Sequence, residues 1–502
     1  MCLCVGVRSF NSMASREQLS ALDATFLELE EADQSAHMHI GGVIVIEPQP
    51  GGGAPPIELV REDVLARLPD LPRFTQRLSQ PRTHGLHWPR WEEDPNFHID
   101  RHVIQAGLHA PGGTAELMEW AGEFYSQRLD RTRPLWELAI VEMADGRWAM
   151  VTKTHHCMID GVGSVDIGTT LLDTKPERRT AHLNGNGSIR EAVLATGPAS
   201  APRRWRRAAH GLARPALAAA NAAVRGAHAG VHAAESALGL ATHPRRLREA
   251  VRRSSSLAEL IVSDEVISAP RTSLNEPIGA RRSLAVVTAE LDDLRAIKRI
   301  LGGTINDVVL AAAAGGLRRL LLERGERPPR RGLRAMVPMN VRVAGDRLAM
   351  GNRISSLFIH LPVAEEDPAR RYELQLDEAE SLKAGSQAEG STTLLDLASH
   401  MPPVLHSFVA RSLFATRLFN VTITNVPGPQ FPLYCFGSRV EQIWPLVPIA
   451  AEHAVGLAVF SYEGTLFFCL NVDRDTVRDV DVLADGISRS LEELRELALV
   501  GG

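Results

Sequence analysis

The sequence predicts an α/β fold arranged as two halves of similar element content. The chain has 502 residues, and at about 100–200 residues per domain this length favours two or three domains. Strand-like and helix-like runs alternate before residue 174 and again after residue 256, and a stretch rich in Arg and Ala separates them. Hydrophobic residues make up 44% and charged residues 23%, an ordinary globular mixture that excludes disordered, collagen-like and coiled-coil proteins.

In the first half, apolar spacing and the residues that end each run define the elements. The predicted elements are a strand at His39–Ile46, a helix at 57–68, a helix at Thr114–Leu129, a strand at Arg147–Thr154 and a helix at 162–173. The strand at Arg147–Thr154 ends directly before His155 and His156. The histidine pair is therefore expected at a strand end, where sites in α/β proteins commonly lie.

The second half repeats this element content. We predict strands near 282–290, 333–338, 353–361, 453–462 and 464–472, and a helix at Thr304–Arg324.

Composition divides the chain into four segments. These are an N-terminal extension at 1–12, an N-terminal domain at 13–185, a partly helical Arg/Ala-rich linker at 186–256 and a C-terminal domain at 257–502. Within the linker, the stretch from Arg203 to Arg253 holds 11 Arg and 2 acidic residues, a local charge of +9.

Charge, cysteines and hydropathy exclude several classes of protein. A net charge of −5 excludes a bulk polycation but leaves room for a local basic patch, and no nucleic-acid partner is expected. Five cysteines in 502 residues form no disulfide framework. No apolar run approaches the roughly 18–20 residues of a membrane-spanning helix, and the N-terminus lacks the pattern of a signal peptide. A cytoplasmic protein is expected.

The motif that carries chemistry is HHCMIDG at 155–161. It fixes His155, His156, Asp160 and Gly161 within seven residues. A neutral imidazole can take a proton from a hydroxyl near neutral pH and return it to a leaving group. Asp160 could orient a ring, but we expect it to hold the loop by pairing with an Arg, and Gly161 permits a tight turn or a close backbone approach. The motif thus predicts general base catalysis.

Three other interpretations of the motif are less favoured. Adjacent histidines on a strand point to opposite faces, which disfavours a shared metal ion. Cys157 as a nucleophile would need a separate base and a lowered pKa, and a packing role is more usual for such a residue. A satisfied core histidine explains either histidine alone but not the whole pattern.

The motif resembles the signature of the CoA-dependent acyltransferase superfamily. Further motifs narrow the resemblance to the bacterial bifunctional wax ester synthase/acyl-CoA:diacylglycerol acyltransferases, over about residues 16–500. They are RPLWE at 133–137, TINDVVL at 304–310, VPMNVR at 337–342, GNR at 351–353, TNVPGP at 424–429 and FSYEG at 460–464.

The resemblance implies two pseudo-symmetric chloramphenicol-acetyltransferase-like domains with mixed sheets and a tunnel between them. It implies His156 as the catalytic base, His155 as its orienting neighbour, and Asp160 as a structural acid, with Arg342 as the partner we expect for it. Asn306 and Asp307 match a motif beside the tunnel, although Asn306 could equally cap its helix. Asn425 lies in a motif that could be only a turn. Pro134, Leu135 and Trp136 are expected in the tunnel wall or the core.

The function implied is transfer of a long-chain acyl group from acyl-CoA to diacylglycerol or a long-chain alcohol. No covalent intermediate, metal or cofactor is expected, and acyl-CoA is a substrate. Two alternatives stay open: an enzyme of the same fold that acts on another alcohol, and a non-catalytic lipid-droplet or lipid-binding protein. Lipid substrates imply peripheral contact with the inner membrane face or with lipid bodies.

The basic segment 203–253 is expected to contact such a surface, unless it is only a linker. Basic residues near an anionic leaflet contribute about 1 kcal/mol each, and Trp205 suits the interface. The purified protein should co-sediment with anionic more than with neutral vesicles, and less at high salt. Replacing Arg203, Arg204, Arg206 and Arg207 with Gln should release it, and unchanged sedimentation would leave the segment as a linker.

Overall fold

The computed structural model describes residues 18–79, 88–158, 170–177, 269–340, 354–384 and 418–500. These residues, apart from Ala269, belong to one compact unit drawn from 1–193 and 270–502, and a second unit spans 194–269. The extension at 1–12, the linker at 186–256, Asp160, Gly161 and Arg342 lie outside the described residues. The division into domains at 13–185 and 257–502 stays a prediction.

The described elements alternate between strands and helices along the chain. The strands are β1 (His39–Ile46), β2 (Gln76–Leu78), β3 (Trp91–Glu93), β4 (Val103–Gly107), β5 (Trp136–Glu142), β6 (Trp148–His155), β7 (Leu172–Asp173), β8 (Arg282–Glu290), β9 (Leu333–Asn340), β10 (Ile354–Leu361), β11 (Val421–Val426), β12 (Tyr434–Cys435), β13 (Ser438–Leu446), β14 (Val455–Tyr462) and β15 (Thr465–Asp473). The helices are α1 (Ala21–Ala32), α2 (Ile57–Arg67), α3 (Thr114–Ser126), α4 (Leu291–Leu301), α5 (Ile305–Glu323), α6 (Pro368–Ala384) and α7 (Val480–Val500).

The first sheet has the strand order β4-β5-β6-β1-β13-β12-β7. Strands β4 and β5 run parallel, while β5, β6, β1 and β13 pair antiparallel in turn. Strand β6 is buried along its whole length between β5 and β1. Strand β13 comes from late in the chain, so residues beyond position 437 complete a sheet that the first half begins.

The second sheet has the order β10-β9-β11-β14-β15-β8 and is also mixed. Strands β9, β11 and β14 run parallel, and the outer pairs are antiparallel. One face packs against α4, α5 and α7, as the burial of Leu466, Phe468 and Leu470 with these helices shows. The opposite face, with Phe467 and Cys469, shares an apolar cluster with the first sheet.

A glycine permits the close approach of α3 to the first sheet. Gly41 on β1 has a φ of 151°, and a Cβ added there would lie 2.1 Å from the carbonyl oxygen of Thr152. The hydroxyl of Tyr125 on α3 donates a hydrogen bond to the same carbonyl. Any side chain at position 41 would therefore displace this contact beside β6.

The predicted α/β fold class is confirmed by two mixed sheets flanked by helices. The strand at His39–Ile46 has the predicted bounds, and the strands and the one helix predicted in the second half are present. The helix predicted at 162–173 is wrong at its end, because Leu172 and Asp173 form β7, which pairs with Tyr434 and Cys435. Helices α1, α4, α6 and α7 were not predicted from the sequence, nor were several strands, among them β5, β11 and β13.

Within the described ranges, no helix by itself has the length and apolarity that crossing a membrane requires. The pair α4 and α5 meets that test only when taken together, and the two helices are bent by 98° at the break between them.

Several histidines are buried inside the described unit. His102 stacks on Trp136 with ring centroids 4.7 Å apart, and His453 stacks on Phe419 at 3.8 Å. Burial lowers the pKa of His102 and lowers the pKa of His453 to about 4. Burial and the nearby Arg282 lower the pKa of His37 to about 4 as well. These rings are therefore neutral at pH 7.

The lowered histidine pKa values predict loss of stability in mild acid. A histidine in the unfolded chain titrates near pH ~6.5, so the unfolded state binds more protons than the folded state as the pH falls from there toward 4. The thermal unfolding midpoint should fall steadily between pH 6.5 and 4.5 at constant ionic strength. His98→Gln, at an exposed position, should leave this slope unchanged. A midpoint that is flat over this range would contradict the assignment of these histidines as neutral.

Candidate active site

The histidine pair lies at the end of β6, where the chain leaves the first sheet. His155 is the last residue of the strand, and His156–Met158 form one short helical turn. The N–H of His155 donates to the carbonyl of Leu135 (2.9 Å), and the N–H of His156 donates to the carbonyl of Met38 (2.8 Å). Two neighbouring chain segments thus fix the backbone of both histidines, at the strand end that the sequence predicted.

Helix α1 contacts both histidines through one of its faces. Its first turn is capped by Ser20, whose hydroxyl oxygen accepts from the N–H of Asp23. Phe26 stacks on the ring of His156, with centroids 3.8 Å apart and planes inclined by 15°. Residues four apart on a helix lie on the same face, so Glu30 follows Phe26 and reaches His155, with 3.5 Å between Oε2 and Nε2.

Glu30 is the centre of a buried polar cluster. It is 2% exposed, and Arg131 donates to its Oε2 through Nε (3.2 Å) and Nη2 (2.7 Å). Arg128 lies 3.3 Å from the same oxygen, and His39 lies 3.7 Å from Oε1. Burial by itself would raise the pKa of Glu30, but the nearby His155 and the hydrogen bonds from Arg131 outweigh burial and hold it well below its usual range. The carboxylate is therefore ionised.

Strand pairing brings a further histidine, His39, beside the two histidines of the motif. His39 on β1 is the cross-strand partner of His155 on β6, and their ring centroids are 6.2 Å apart. His37 follows, with its ring 5.4 Å from that of His39. Burial lowers the pKa of His39 well below its usual value, so its ring is neutral. Two histidines therefore contact one carboxylate, and a third lies beside His39.

The hydrogen bonds of His155 define its tautomer. The backbone N–H of Cys157 donates to Nδ1 of His155 at 3.1 Å. Nδ1 must therefore be the unprotonated nitrogen, and the single proton of the neutral ring lies on Nε2, which faces Glu30. Burial lowers the pKa of His155, while Glu30 acts in the opposite direction.

His156 is the partly exposed member of the pair. Burial of its ring lowers its pKa to about 4, although its own backbone carbonyl opposes this shift. Its Nδ1 is buried and makes no hydrogen bond of good geometry to the described residues. The ring is thus held by stacking on Phe26 and is neutral at pH 7, the form that can accept a proton.

The other interpretations of the motif fit the geometry less well. Burial raises the pKa of the Cys157 thiol well above its usual value, which disfavours a thiolate nucleophile. In the part of the chain that the structure describes, no group of three or more His, Cys, Asp or Glu side chains could hold a metal ion. His155 does satisfy the description of a partnered core histidine. Asp160, Gly161 and Arg342 keep their predicted roles as predictions.

Pro134, Leu135 and Trp136 are buried beside the histidine pair. The carbonyl of Leu135 holds the backbone of His155. The indole of Trp136 is fully buried in the apolar cluster and donates to the carbonyl of Phe74 at 2.8 Å. These residues were expected in the tunnel wall or in the core, and the contacts of Trp136 match a core position.

The motif that begins α5 has a structural function. Thr304 is the N-cap, and Asp307 accepts hydrogen bonds from both the N–H and the hydroxyl of Thr304, each at 2.8 Å. Asp307 therefore caps the helix, and Asn306 is the half-buried second helical residue. Asn425 pairs with Val459 as the fifth residue of β11, and the turn follows it, with the N–H of Gly428 donating to Ser461 Oγ.

Sequence reasoning missed Phe26, Glu30 and His39. Each lies more than 100 positions from the motif, and no local pattern connects them to it. One signal in the sequence could have found them. The acidic Glu30 follows the apolar Leu27 and Leu29, lies four positions after Phe26, and belongs to a segment that begins with a residue favoured at helix N-caps. His39 carried a weaker signal, because a histidine opens an otherwise apolar strand.

Two family models match the chain. The wax ester synthase/diacylglycerol acyltransferase catalytic domain matches residues 19–309, and the C-terminal domain of the same family matches residues 350–495. The chain is 33% identical over 485 residues to the "probable diacylglycerol O-acyltransferase tgs1" of Mycobacterium tuberculosis strain H37Rv, covering 95% of each chain. It is 30% identical over 479 residues to tgs2 of the same strain, covering 94% of this chain and 98% of that one.

Solved structures share the fold. A wax ester synthase/diacylglycerol acyltransferase from Marinobacter aquaeolei VT8 superposes with a TM-score of 0.66 at 23% identity, over 96% of this chain and 99% of that one. A mutant starter condensation domain of rhizomide synthetase, in complex with C8-CoA and Leu-SNAC, superposes with a TM-score of 0.54 at 16% identity, over 97% and 95%. The matches to the family models and to the mycobacterial enzymes show that this chain is an acyltransferase that belongs to the wax ester synthase/diacylglycerol acyltransferase family.

Proposed function

We propose that the chain transfers a long-chain acyl group from acyl-CoA to the hydroxyl of diacylglycerol or of a long-chain alcohol, with His156 as general base. The observation that carries the proposal is a neutral imidazole at the end of β6, stacked on Phe26, in a residue that is itself partly exposed. The two relatives named as diacylglycerol O-acyltransferases support diacylglycerol as the acceptor.

The reaction proceeds by direct transfer between the two substrates. His156 takes the proton of the acceptor hydroxyl as its oxygen attacks the thioester carbonyl carbon. The tetrahedral species collapses, the carbon–sulfur bond breaks, and the imidazolium returns the proton to the departing CoA sulfur. The products are an ester and free CoA, so atoms balance without a metal, a redox cofactor or a covalent enzyme intermediate. A raised thiol pKa at Cys157 agrees with this route.

The acyl donor is inferred from chemistry and from a fold relative. The rhizomide starter condensation domain binds C8-CoA, which supports a CoA thioester as the donor in this fold. Each methylene buried along an apolar wall contributes about 0.8 kcal/mol, so long acyl chains are favoured over short ones. A competition between hexadecanol and diacylglycerol, with both esters quantified, determines the preferred acceptor.

The proposed substrates imply a peripheral location at a lipid surface. Diacylglycerol resides in bilayers and lipid bodies, so the enzyme must reach their cytoplasmic surface to bind it. The basic segment at 203–253 is our proposed contact, since its local charge of +9 suits an anionic leaflet.

Removing the imidazole of His156 tests the proposal. His156→Ala should lower kcat by about 10²–10⁴-fold, the usual effect of a general base, with little change in folding. Free-thiol release from long-chain acyl-CoA in the presence of diacylglycerol or hexadecanol measures the activity, and thermal unfolding reports the fold. His98→Ala, at an exposed histidine, is the matched control and should keep wild-type turnover. Near-normal turnover in a folded His156→Ala protein would refute the role of His156.

A further inference from the structure

We propose that Glu30 is a positioning residue for the transfer: its carboxylate fixes the tautomer of His155 and, through it, the turn that carries His156. This inference rests on the proposed function for its kinetic consequence. Its structural part concerns the wild-type protein alone.

The first step is the contact between Glu30 and His155. Oε2 of Glu30 lies 3.5 Å from Nε2 of His155, and both side chains are almost fully buried, at 2% and 1% exposure. An ionised carboxylate only accepts hydrogen bonds, so the nitrogen that faces it is the protonated one. Glu30 therefore favours the tautomer with the proton on Nε2.

The second step runs from His155 to the turn. With its proton on Nε2, the ring presents an unprotonated Nδ1 to the N–H of Cys157, 3.1 Å away. In the opposite tautomer, two N–H donors would face each other, and the buried N–H of Cys157 would lose its acceptor. The turn His156–Met158 would then lose the hydrogen bond that ties it to the strand.

The third step is the charge that keeps Glu30 ionised. Arg131 donates two hydrogen bonds to Oε2, and Arg128 lies 3.3 Å from the same atom. His39 is close to the other carboxylate oxygen of Glu30, with its Nε2 3.7 Å from Oε1. The two guanidinium groups compensate the buried charge, so the carboxylate keeps its acceptor character beside the histidines.

A purely structural role for Glu30 would be to neutralise Arg128 and Arg131. The neighbouring Glu31 separates the two roles, because it also pairs with Arg131, at 2.7 Å from Nη1, and is 56% exposed. Within the described ranges Glu31 pairs with Arg131, and no hydrogen bond or ion pair joins it to either histidine of the pair. Glu31→Gln thus removes a carboxylate from Arg131 while leaving the contact with His155 in place.

The kinetic experiment compares Glu30→Gln with Glu31→Gln. For Glu30→Gln we expect kcat to fall about 10- to 100-fold, the loss typical when a residue that orients a metal-bound histidine is removed, while KM for acyl-CoA stays within about twofold. Glu31→Gln should keep both constants. Glu30→Gln should add little to the loss in His155→Gln if it acts through His155. A folded Glu30→Gln protein with wild-type kcat, or losses that multiply in the double variant, would overturn the proposal.

A spectroscopic measurement does not depend on turnover or on the folding of Glu30→Gln. In ¹⁵N-histidine-labelled wild-type protein at pH 7, His155, assigned by its loss in His155→Gln, should show a protonated Nε2 and an unprotonated Nδ1. A protonated Nδ1 would overturn the proposal. If the wild type releases no thiol with any lipid alcohol, the proposed function fails, and the nitrogen spectrum still decides the tautomer.

Discussion

The contact between the Glu30 carboxylate and the His155 imidazole is the interaction on which the site depends. It connects α1, at the start of the described chain, to the end of β6. The cost of burying this carboxylate is offset by Arg128 and Arg131, which follow α3 in the chain. Helix α1, the loop after α3 and the two central strands therefore meet at one charged group, and His156 takes its position from the turn beside it.

The sheet provides the rigid frame for this group. Strand β6 is paired on both sides, so the backbone of His155 and His156 has little freedom, and the partners Leu135 and Met38 belong to the segments that lead into β5 and β1. The register of β1 with β6 sets His39 opposite His155. A shift of one residue in that register would send His39 to the other face of the sheet and remove it from Glu30.

Local sequence pattern predicted much of the fold and part of the site. The strand at β6, the strand end at His155 and the helix at α5 follow from apolar spacing and from turn and cap residues. Strand β13 could not be predicted to complete the first sheet, because its pairing with β1 joins residues about 400 positions apart. Glu30 and Phe26 could not be identified as site residues for the same reason. Their partners, His155 and His156, are distant in sequence and contact this helix face only in the folded protein. Asp307 illustrates the converse, since its motif carries the family resemblance while its side chain caps a helix.

A general base must be neutral before it reacts, and the environment of His156 lowers its pKa to about 4. The most direct test is the pH dependence of kcat/KM for the acceptor, which reports the pKa of the free enzyme's base. Each short assay should start by transferring enzyme kept at pH 7 into the assay pH. Returning a sample to pH 7 and measuring its activity again shows that the enzyme is not inactivated. The account predicts a plateau from pH 7 down to about 5 and a loss of activity as the pH approaches 4. A decline with its midpoint near the ordinary histidine value of about 6.5 would contradict it.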